Sequence, residues 1–432
     1  MLEVEEDCVT EEMSQWPISK ETVRCPFAFM AQARNKDPVL RFDKPNELGR
    51  PMYLVTGQRE CAFILSHQRE FGSDLAGAMP GFDKSAVPLP FPEVPSFHEK
   101  SVIFFAGGDD HRIKRKWSME LISRSRVNAW RPLIEARTDE LLDQLGEQNT
   151  CDFRREFSDI LPVDILKIIL ELPEEAVPIL RRVSLAIATT DVDPNITDEQ
   201  KADKAQAFAD LFALNRRMLE QRFAEPGNDY ISSLARTQVE QDGALDVNAL
   251  SIHLQGIMFG GDHAVGAFLA YLLTELARRP ELQQKLRAQP ELIEHFIDET
   301  LRLNPPLPWL FRHCEIETQV GDHLIPAGSI MIVAMAAANR DPAQFPSPES
   351  FSLERKHPAH EILTLGRGVH RCVGEPLARA VGAIVVQRML SRFSGIALDE
   401  QKSVITPELS YQFRCPQEVH LLLDHSRAGI SG

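Results

Sequence analysis

An apolar helical signal from about Val247 to Arg279, stopped by Pro280, constrains the fold of this chain more than any other feature. Leu250, Leu254, Ile257, Met258, Val265, Phe268, Leu269, Leu272 and Leu276 recur at helical spacing on more than one face. A helix with one apolar stripe lies on a surface, whereas one that is apolar on several faces belongs inside a core. A chain of 432 residues is long enough to build that core around it. Gly260 and Gly261 interrupt the signal at a cost of roughly 1 kcal/mol each against alanine. Either something approaches the backbone there or the helix deforms.

The rest of the sequence surrounds this helix with more helix. From about Asp110 to Gln289 the pattern is mainly helical, and a second helix over about Leu292–Leu303 stops at Asn304-Pro305-Pro306. Short strands are predicted at Met52–Thr56, Thr318–Val320, His323–Ile325 and Ser329–Ala334, and Asn339 to Leu363 reads as mostly irregular. A final amphipathic helix starts near Glu375 and turns Leu377, Val381, Ile384 and Val385 inward. Tyr411–Leu423 reads as a β-hairpin with Pro416 near its turn. The Pro/Gly-rich stretch from Gly72 to Pro95 cannot be continuous helix. The fold class is therefore mainly α with small β-sheets, in one compact unit. Residues 1–432 form a single domain, with 1–37 as an N-terminal extension ordered at most in part.

Charge and cysteine usage narrow the function. The net charge of −16, from 63 acidic and 47 basic side chains, repels nucleic acid and anionic membrane. No uninterrupted apolar run approaches the ~20 residues of a membrane span. The acidic start, MLEVEEDCVTEEMSQW, lacks the apolar core of a signal peptide. These features predict a cytoplasmic chain with no membrane and no nucleic-acid partner. Cys8, Cys25, Cys61, Cys151, Cys314, Cys372 and Cys415 are odd in number and form no CxxC pair, which disfavours a disulfide framework and a zinc ribbon.

One cysteine stands in a distinctive setting, Leu365-Gly366-Arg367-Gly368-Val369-His370-Arg371-Cys372-Val373-Gly374. Three glycines allow positive φ and the close approach of a flat cofactor. A thiol just before a helix meets unsatisfied N–H groups that lower its pKa, and Arg367 and Arg371 push the same way. The bland reading is a buried free cysteine beside a phosphate loop, but neither a GKS/T nor a GxGxxG fingerprint is present. The loop resembles the haem-binding signature of the cytochrome P450 family, FGxGxHxCxG, with Leu365 where Phe is usual. The resemblance runs from about Pro38 to Leu423. It implies a cytochrome P450 fold and haem b with Cys372 as proximal ligand, since a thiolate favours O–O cleavage at iron.

Further matches follow from the same resemblance. Glu299 and Arg302 share a helical face. Their default reading is a solvated surface pair, but in DETLRL before Asn304-Pro305-Pro306 they match the family's structural ExxR motif. The Arg that usually completes this network, in PxRF, is replaced by Ser350, which leaves Arg340 as a weak substitute. His111, Arg115, Arg312 and His370 match the cationic contacts to the haem propionates, a task that suits the bidentate guanidinium. The distal motif (A/G)Gx(D/E)T reads Gly260-Gly261-Asp262-His263-Ala264. Counted back from Arg278-Arg279-Pro280, His263 takes the acid position and Ala264 the alcohol position. A shift by one residue would put Asp262 at the acid and His263 at the alcohol, and neither register supplies the threonine. Proton delivery is then substrate-assisted or uses His263, unless His263 merely packs.

The resemblance also places Phe71 to Phe105 over the active site, with Phe82, Phe91, Phe97, Phe104 and Phe105. It points Leu307–Phe311 and the region of Ser410 at the pocket, which suits an apolar or amphipathic small substrate. Arg112, Lys114, Arg115, Lys116, Arg367, Arg371 and Arg379 form an expected basic patch on the thiolate side. Such a patch would steer an acidic, ferredoxin-type electron donor fed by an NAD(P)H-dependent reductase. The implied activity is a haem-thiolate monooxygenase of secondary metabolism. The alternatives are a peroxygenase or isomerase that needs no external electrons, and a non-catalytic haem protein.

Overall fold

The computed structural model of the chain describes residues 19–46, 48–75, 102–145, 149–188, 197–355, 359–408, 410 and 412–425. Its longer helices are α1 (Phe27–Lys36), α2 (Gln58–Ser66), α3 (Gly108–Ile122), α4 (Arg124–Leu145), α5 (Leu161–Leu170), α6 (Ala176–Ala188) and α7 (Asp198–Ala224). They continue with α8 (Tyr230–Asp242), α9 (Val247–Gly261), α10 (His263–Ala277), α11 (Pro280–Ala288), α12 (Ile293–Leu303) and α13 (Glu375–Arg392). The architecture is mainly α with small sheets.

The long apolar signal is two helices rather than one. α9 ends at Gly261 and α10 begins at His263, with Asp262 between them at φ −103° and ψ −88°. Neighbours press on both sides of the break. A Cβ on Gly261 would lie 3.0 Å from Cδ2 of Leu166, and one on Gly266 would lie 2.9 Å from the carbonyl oxygen of Ser158. Ser158 belongs to a single π-helical turn, Arg154–Ser158, a feature that often marks functional sites. Every residue from Gly266 to Ala277 is buried, as apolarity on several faces requires. α9–α10 is the one span among the described residues long and apolar enough to cross a membrane, and most of its apolar window is buried inside the fold. α13 packs against α10 so closely that a Cβ on Gly382 would meet the Phe268 ring at 2.8 Å. Val381, Ile384 and Val385 of α13 are buried as expected, while Leu377 is half-buried against the same core.

The main sheet has the order β1-β2-β8-β5-β3, formed by Val39–Arg41, Met52–Val55, Ile330–Val333, Leu310–Cys314 and Phe71–Gly72. β2 and β8 run parallel and the other pairs are antiparallel. Residues alternate between the two faces of a strand, and both faces are covered here. Met52, Leu54, Ile330 and Ile332 join one core with Phe29, Met30 and Ala33 of α1. Tyr53, Val55, Met331 and Val333 join the other with Cys61, Ile64 and Leu65 of α2. Coverage on both sides explains the unbroken apolar runs MYLV and IMIV. Residues 27–36 are thus a working layer of the fold, not an appended extension.

Two local expectations fail for the same reason, strand pairing. Trp309 goes to the α1 core, and Phe311 packs against it, instead of both facing a pocket, while Leu310 and Leu307 pack on the opposite side. Tyr411–Leu423 is not one hairpin. Pro416–Glu418 (β11) pairs with Val404–Pro407 (β10), and His420–Asp424 (β12) pairs with both Gly395–Leu398 (β9) and Thr150–Asp152 (β4). The remaining sheet, Thr318–Val320 (β6) with His323–Ile325 (β7), lies where the sequence predicts it.

Candidate active site

The cysteine loop is pinned between α2 and α13. Gly366 and Gly368 adopt φ of +71° and +69°, a region that glycine enters without steric cost. A Cβ at Gly368 would lie 2.6 Å from the Leu65 carbonyl oxygen, so the loop presses directly on the end of α2. The Cys372 amide donates to the Leu365 carbonyl at 2.7 Å and the Gly366 amide to Leu363 at 2.8 Å, which curls the loop and aims the sulfur at the start of α13. Among the described residues the sulfur accepts N–H groups of Gly374 and Glu375. Cys372 lies deep among protein atoms yet keeps exposed surface.

The electrostatics differ from the sequence argument. Burial dominates and pushes the Cys372 thiol up; Glu375 adds to this, and the two N–H groups and Arg115 pull against it. Arg371 is not available to the sulfur, because it forms a bidentate pair with Glu375 at 2.7 and 2.8 Å. A bound metal ion would be the positive partner that holds a thiolate here.

Four cationic or basic side chains gather beside the loop. The rings of His111 and His370 meet at a tilt of 39° with their centroids 4.0 Å apart. Arg115 donates to the Arg371 carbonyl at 2.8 Å, and Arg312 to the Phe311 carbonyl at 2.8 Å. Arg312 reaches this place because β5 pairs it with Met331, on the α2 side of the sheet. Its guanidinium is pushed down to about 10 by burial alone. His370 is pushed down to about 3 by burial, Arg312, His111 and Arg115 in turn, and His111 is lowered mainly by burial and Arg115. None of the four forms an ion pair among the described residues, and the buried Nε2 of His111 has no partner. Ser73 and Gln68, which sequence reasoning missed, approach His370 Nε2 at 3.2 and 3.4 Å. A buried cationic group without counter-charge is costly, so this constellation suits a ligand with more than one carboxylate. The two propionates of haem fit that demand, and Cys372 fits the iron.

On the α9–α10 side, Gly260 has exposed surface and nothing within 4 Å of its Cβ position. Asp262 turns toward α6 and bonds Ser184; burial pushes its carboxyl up to about 7. The His263 ring meets Phe413 edge-on at 5.0 Å, and burial pushes it down to about 4. Ala264 is half-buried. Phe104 and Phe413 both approach Phe259, at 5.5 and 6.1 Å. Phe413 was not singled out from sequence, since nothing local marks it. Phe104 and Phe105 pack against a cluster of Val102, Phe212 and Ile252. Phe82, Phe91 and Phe97 lie outside the described residues. Ser410 is buried and accepts the amides of Gln412 and Phe413, which fixes Phe413 in place.

Glu299 and Arg302 are 1% and 0% exposed, so the surface-pair reading is wrong. Arg302 grips Glu299 through two bonds of 2.8 and 2.9 Å, and donates to the carbonyls of Asn339, Pro348 and Ser350. The third member is Arg355, not Arg340. Arg355 reaches Glu299 at 3.2 Å and also donates to the Ser350 carbonyl, while Arg340 pairs with Glu349. The missing signal was a cation four residues beyond Phe351, whose ring packs on Phe296 of α12.

The expected basic patch is largely neutralised. Lys114 is buried on Asp110, Arg112 pairs with Asp109, and Arg379 with Glu375 and Asp298. Lys116 and the half-buried Arg367 keep their charge unmatched among the described residues, and Met119 on the helix of Lys116 and Val369 in the loop of Arg367 are exposed.

Comparisons with known proteins give the family and the fold. The profile of the family described as Cytochrome P450 matches residues 193–422. The 6-deoxyerythronolide B hydroxylase of Saccharopolyspora erythraea is 31% identical over 376 residues, covering 85% of this chain and 88% of the relative. The cyclomarin C epoxidase CymV of Salinispora arenicola is 29% identical over 293 residues, covering 66% and 72%. The solved structure of cytochrome P450 CYP109Q5 from Chondromyces apiculatus superposes with a TM-score of 0.79 at 23% identity, covering 95% of this chain and 98% of that one. The chain belongs to the cytochrome P450 family and is a cytochrome P450 monooxygenase, with haem b held by a cysteine thiolate as its cofactor.

Proposed function

We propose that Cys372 is the thiolate ligand, that His111, Arg115, Arg312 and His370 hold the propionates, and that the substrate is an apolar or amphipathic small molecule of secondary metabolism. The observation that carries this reading is the pair of arginines, Arg115 and Arg312, beside Cys372 with two neutral imidazoles, His111 and His370, and no ion pair to any of the four among the described residues. Haem bound there would supply the activation of dioxygen with two electrons and two protons, one oxygen atom passing to a C–H or C=C bond and the other leaving as water.

The chain's own residues do the rest. Gly374 and Glu375 orient the sulfur through their N–H groups, and such outer contacts tune the metal. Glu299, Arg302 and Arg355 lock the segment after Asn339 against α12, and Asn339 in turn holds the amide of Leu363 at the root of the cysteine loop. Phe104, Phe259 and Phe413 offer an apolar wall to substrate. His263 is uncharged at neutral pH, so it acts as a hydrogen-bonding group rather than a standing acid. Ala264 offers no hydroxyl. The last proton donor in this reading is the substrate's own hydroxyl or a water beside Gly260. Electrons arrive from a ferredoxin-type protein that docks over Val369, Met119, Lys116 and Arg367. The missing threonine also favours a second reading, peroxide-driven oxygenation without external electrons.

The test is turnover. A ligand screen by shift of the ferric Soret band is followed by incubation with ferredoxin, reductase and NAD(P)H, or with peroxide alone. Hydroxylated or epoxidised product that requires the electron donors supports the first reading, and product with peroxide alone supports the second. Tight-binding ligands that yield product under neither condition refute both.

A further inference from the structure

Two buried arginines lie away from the thiolate and take no part in the chemistry above. Arg340 is 7% exposed and Arg414 is 5% exposed, and their guanidinium carbons sit 3.6 and 4.3 Å from the centre of the same ring, Phe27. Arg340 directs Nε to Glu349 at 3.0 Å and Nη2 to the Leu303 carbonyl, but its Nη1 has no acceptor among the described residues. Nε and Nη1 of Arg414 have none either. Tyr271 of α10, only 2% exposed, buries a hydroxyl that is equally without partner, and both arginines act on it electrostatically.

We infer that Arg340, Arg414 and Tyr271 form a binding site for a small monovalent anion of the halide class, closed by Phe27. The chemistry of the donors selects the ligand. The free guanidinium N–H groups only donate and the Tyr271 hydroxyl can donate, so a halide, which only accepts, would suit them together. A water could donate to the Tyr271 oxygen but would bring no charge to the two guanidiniums, and the one carboxylate acting on Tyr271, Glu275, is engaged by Arg279 and Asn304. Charge points the same way. Among the described residues, the only ion-pair partner of Arg340 is Glu349, which is exposed, and Arg414 has no ion pair. Two buried guanidiniums repel one another, and a counter-ion beside them would offset that repulsion. A polyoxyanion such as phosphate would need more donors than the free groups supply.

The site also has a structural reach. It joins α10, the end of α12 through Leu303, and the C-terminal segment, whose Arg414 amide donates to the Pro306 carbonyl at 2.7 Å. The residue before Arg414 is Phe413, which packs on His263 and Phe259. Anion binding therefore fixes the strand of chain that carries one wall of the substrate pocket.

The test uses the haem-loaded protein. Crystals soaked in sodium bromide should show an anomalous peak in contact with Arg340, Arg414 and Tyr271. In solution, sodium chloride should raise the Tm by about 3 °C and saturate, as single-site binding to the native state requires. Sodium gluconate at matched ionic strength should not. R414M should lose the chloride-specific rise, and Y271F, a milder change, should weaken it if R414M does not fold. The inference is overturned if no bromide peak appears at the site. It is equally overturned if chloride and gluconate act alike on the wild type, or if the rise survives in the variant.

Discussion

Removal of Arg355 should destabilise the fold through Glu299. The Arg355 side chain is 9% exposed and donates to Glu299 at 3.2 Å and to the carbonyls of Pro346, Ser347 and Ser350. R355M leaves Glu299 still paired with Arg302, so no buried charge is stranded. The loss is one buried charge-assisted bond and several carbonyl contacts near the surface, roughly 2–4 kcal/mol in total. E299Q is worse, because it strands Arg302 at 0% exposure; breaking a buried pair in that way costs about 3–5 kcal/mol. With an unfolding entropy of about 2 cal/mol/K per residue, R355M should lower the Tm of the haem-loaded protein by about 2–4 °C. The decisive readout is a double-mutant cycle. Positions 299 and 355 should couple by more than about 1 kcal/mol, and positions 299 and 340 by less than about 0.5 kcal/mol. Coupling to Arg340 with none to Arg355 would refute the network as described.

Other perturbations test the distal side and the helix break. A264T should raise the product formed per NAD(P)H consumed; an unchanged ratio would remove this position from proton delivery. Burial holds the Asp262 carboxyl at about 7, above its unfolded value, so the native state favours its protonated form. Stability relative to D262N should therefore be highest below pH 4, fall as pH rises from 4 to 7 and stay level above 7; urea midpoints across that range would show it. G266A drives a Cβ to 2.9 Å from the backbone oxygen of Ser158 and should cost about 1–3 kcal/mol. G260A meets nothing within 4 Å and should be neutral or stabilising by up to about 1 kcal/mol, a contrast that thermal unfolding resolves.

Much of this organisation could be read from residues alone. All-round apolarity marked α10 as core, and helical spacing with an Asn-Pro-Pro stop delimited α12. The glycine-flanked Cys372 stood out in the sequence, and the resemblance of its loop to the family signature, more than its chemistry alone, gave it the role of ligand. What escaped depends on contacts between distant segments. The break at Asp262 arises where Leu166 and Ser158 press on Gly261 and Gly266, which no local pattern records. Arg355 replaces the usual arginine from five residues beyond Ser350, because a long side chain can reach one carboxylate from several positions. The outward pull of Arg367 and Arg371 on the cysteine was overestimated, since Glu375 captures Arg371 and burial dominates. The two C-terminal strands choose partners in separate sheets, and turn chemistry alone cannot reveal that choice.

The reduced carbon-monoxide difference spectrum of C372S beside C415S tests the central assignment most directly. Cys415 is the natural control: it is buried next to Phe413's segment, and burial raises its thiol strongly. The account predicts a thiolate-type band in the wild type and in C415S, and its loss in C372S. A band that survives in C372S, or vanishes in C415S, would contradict it.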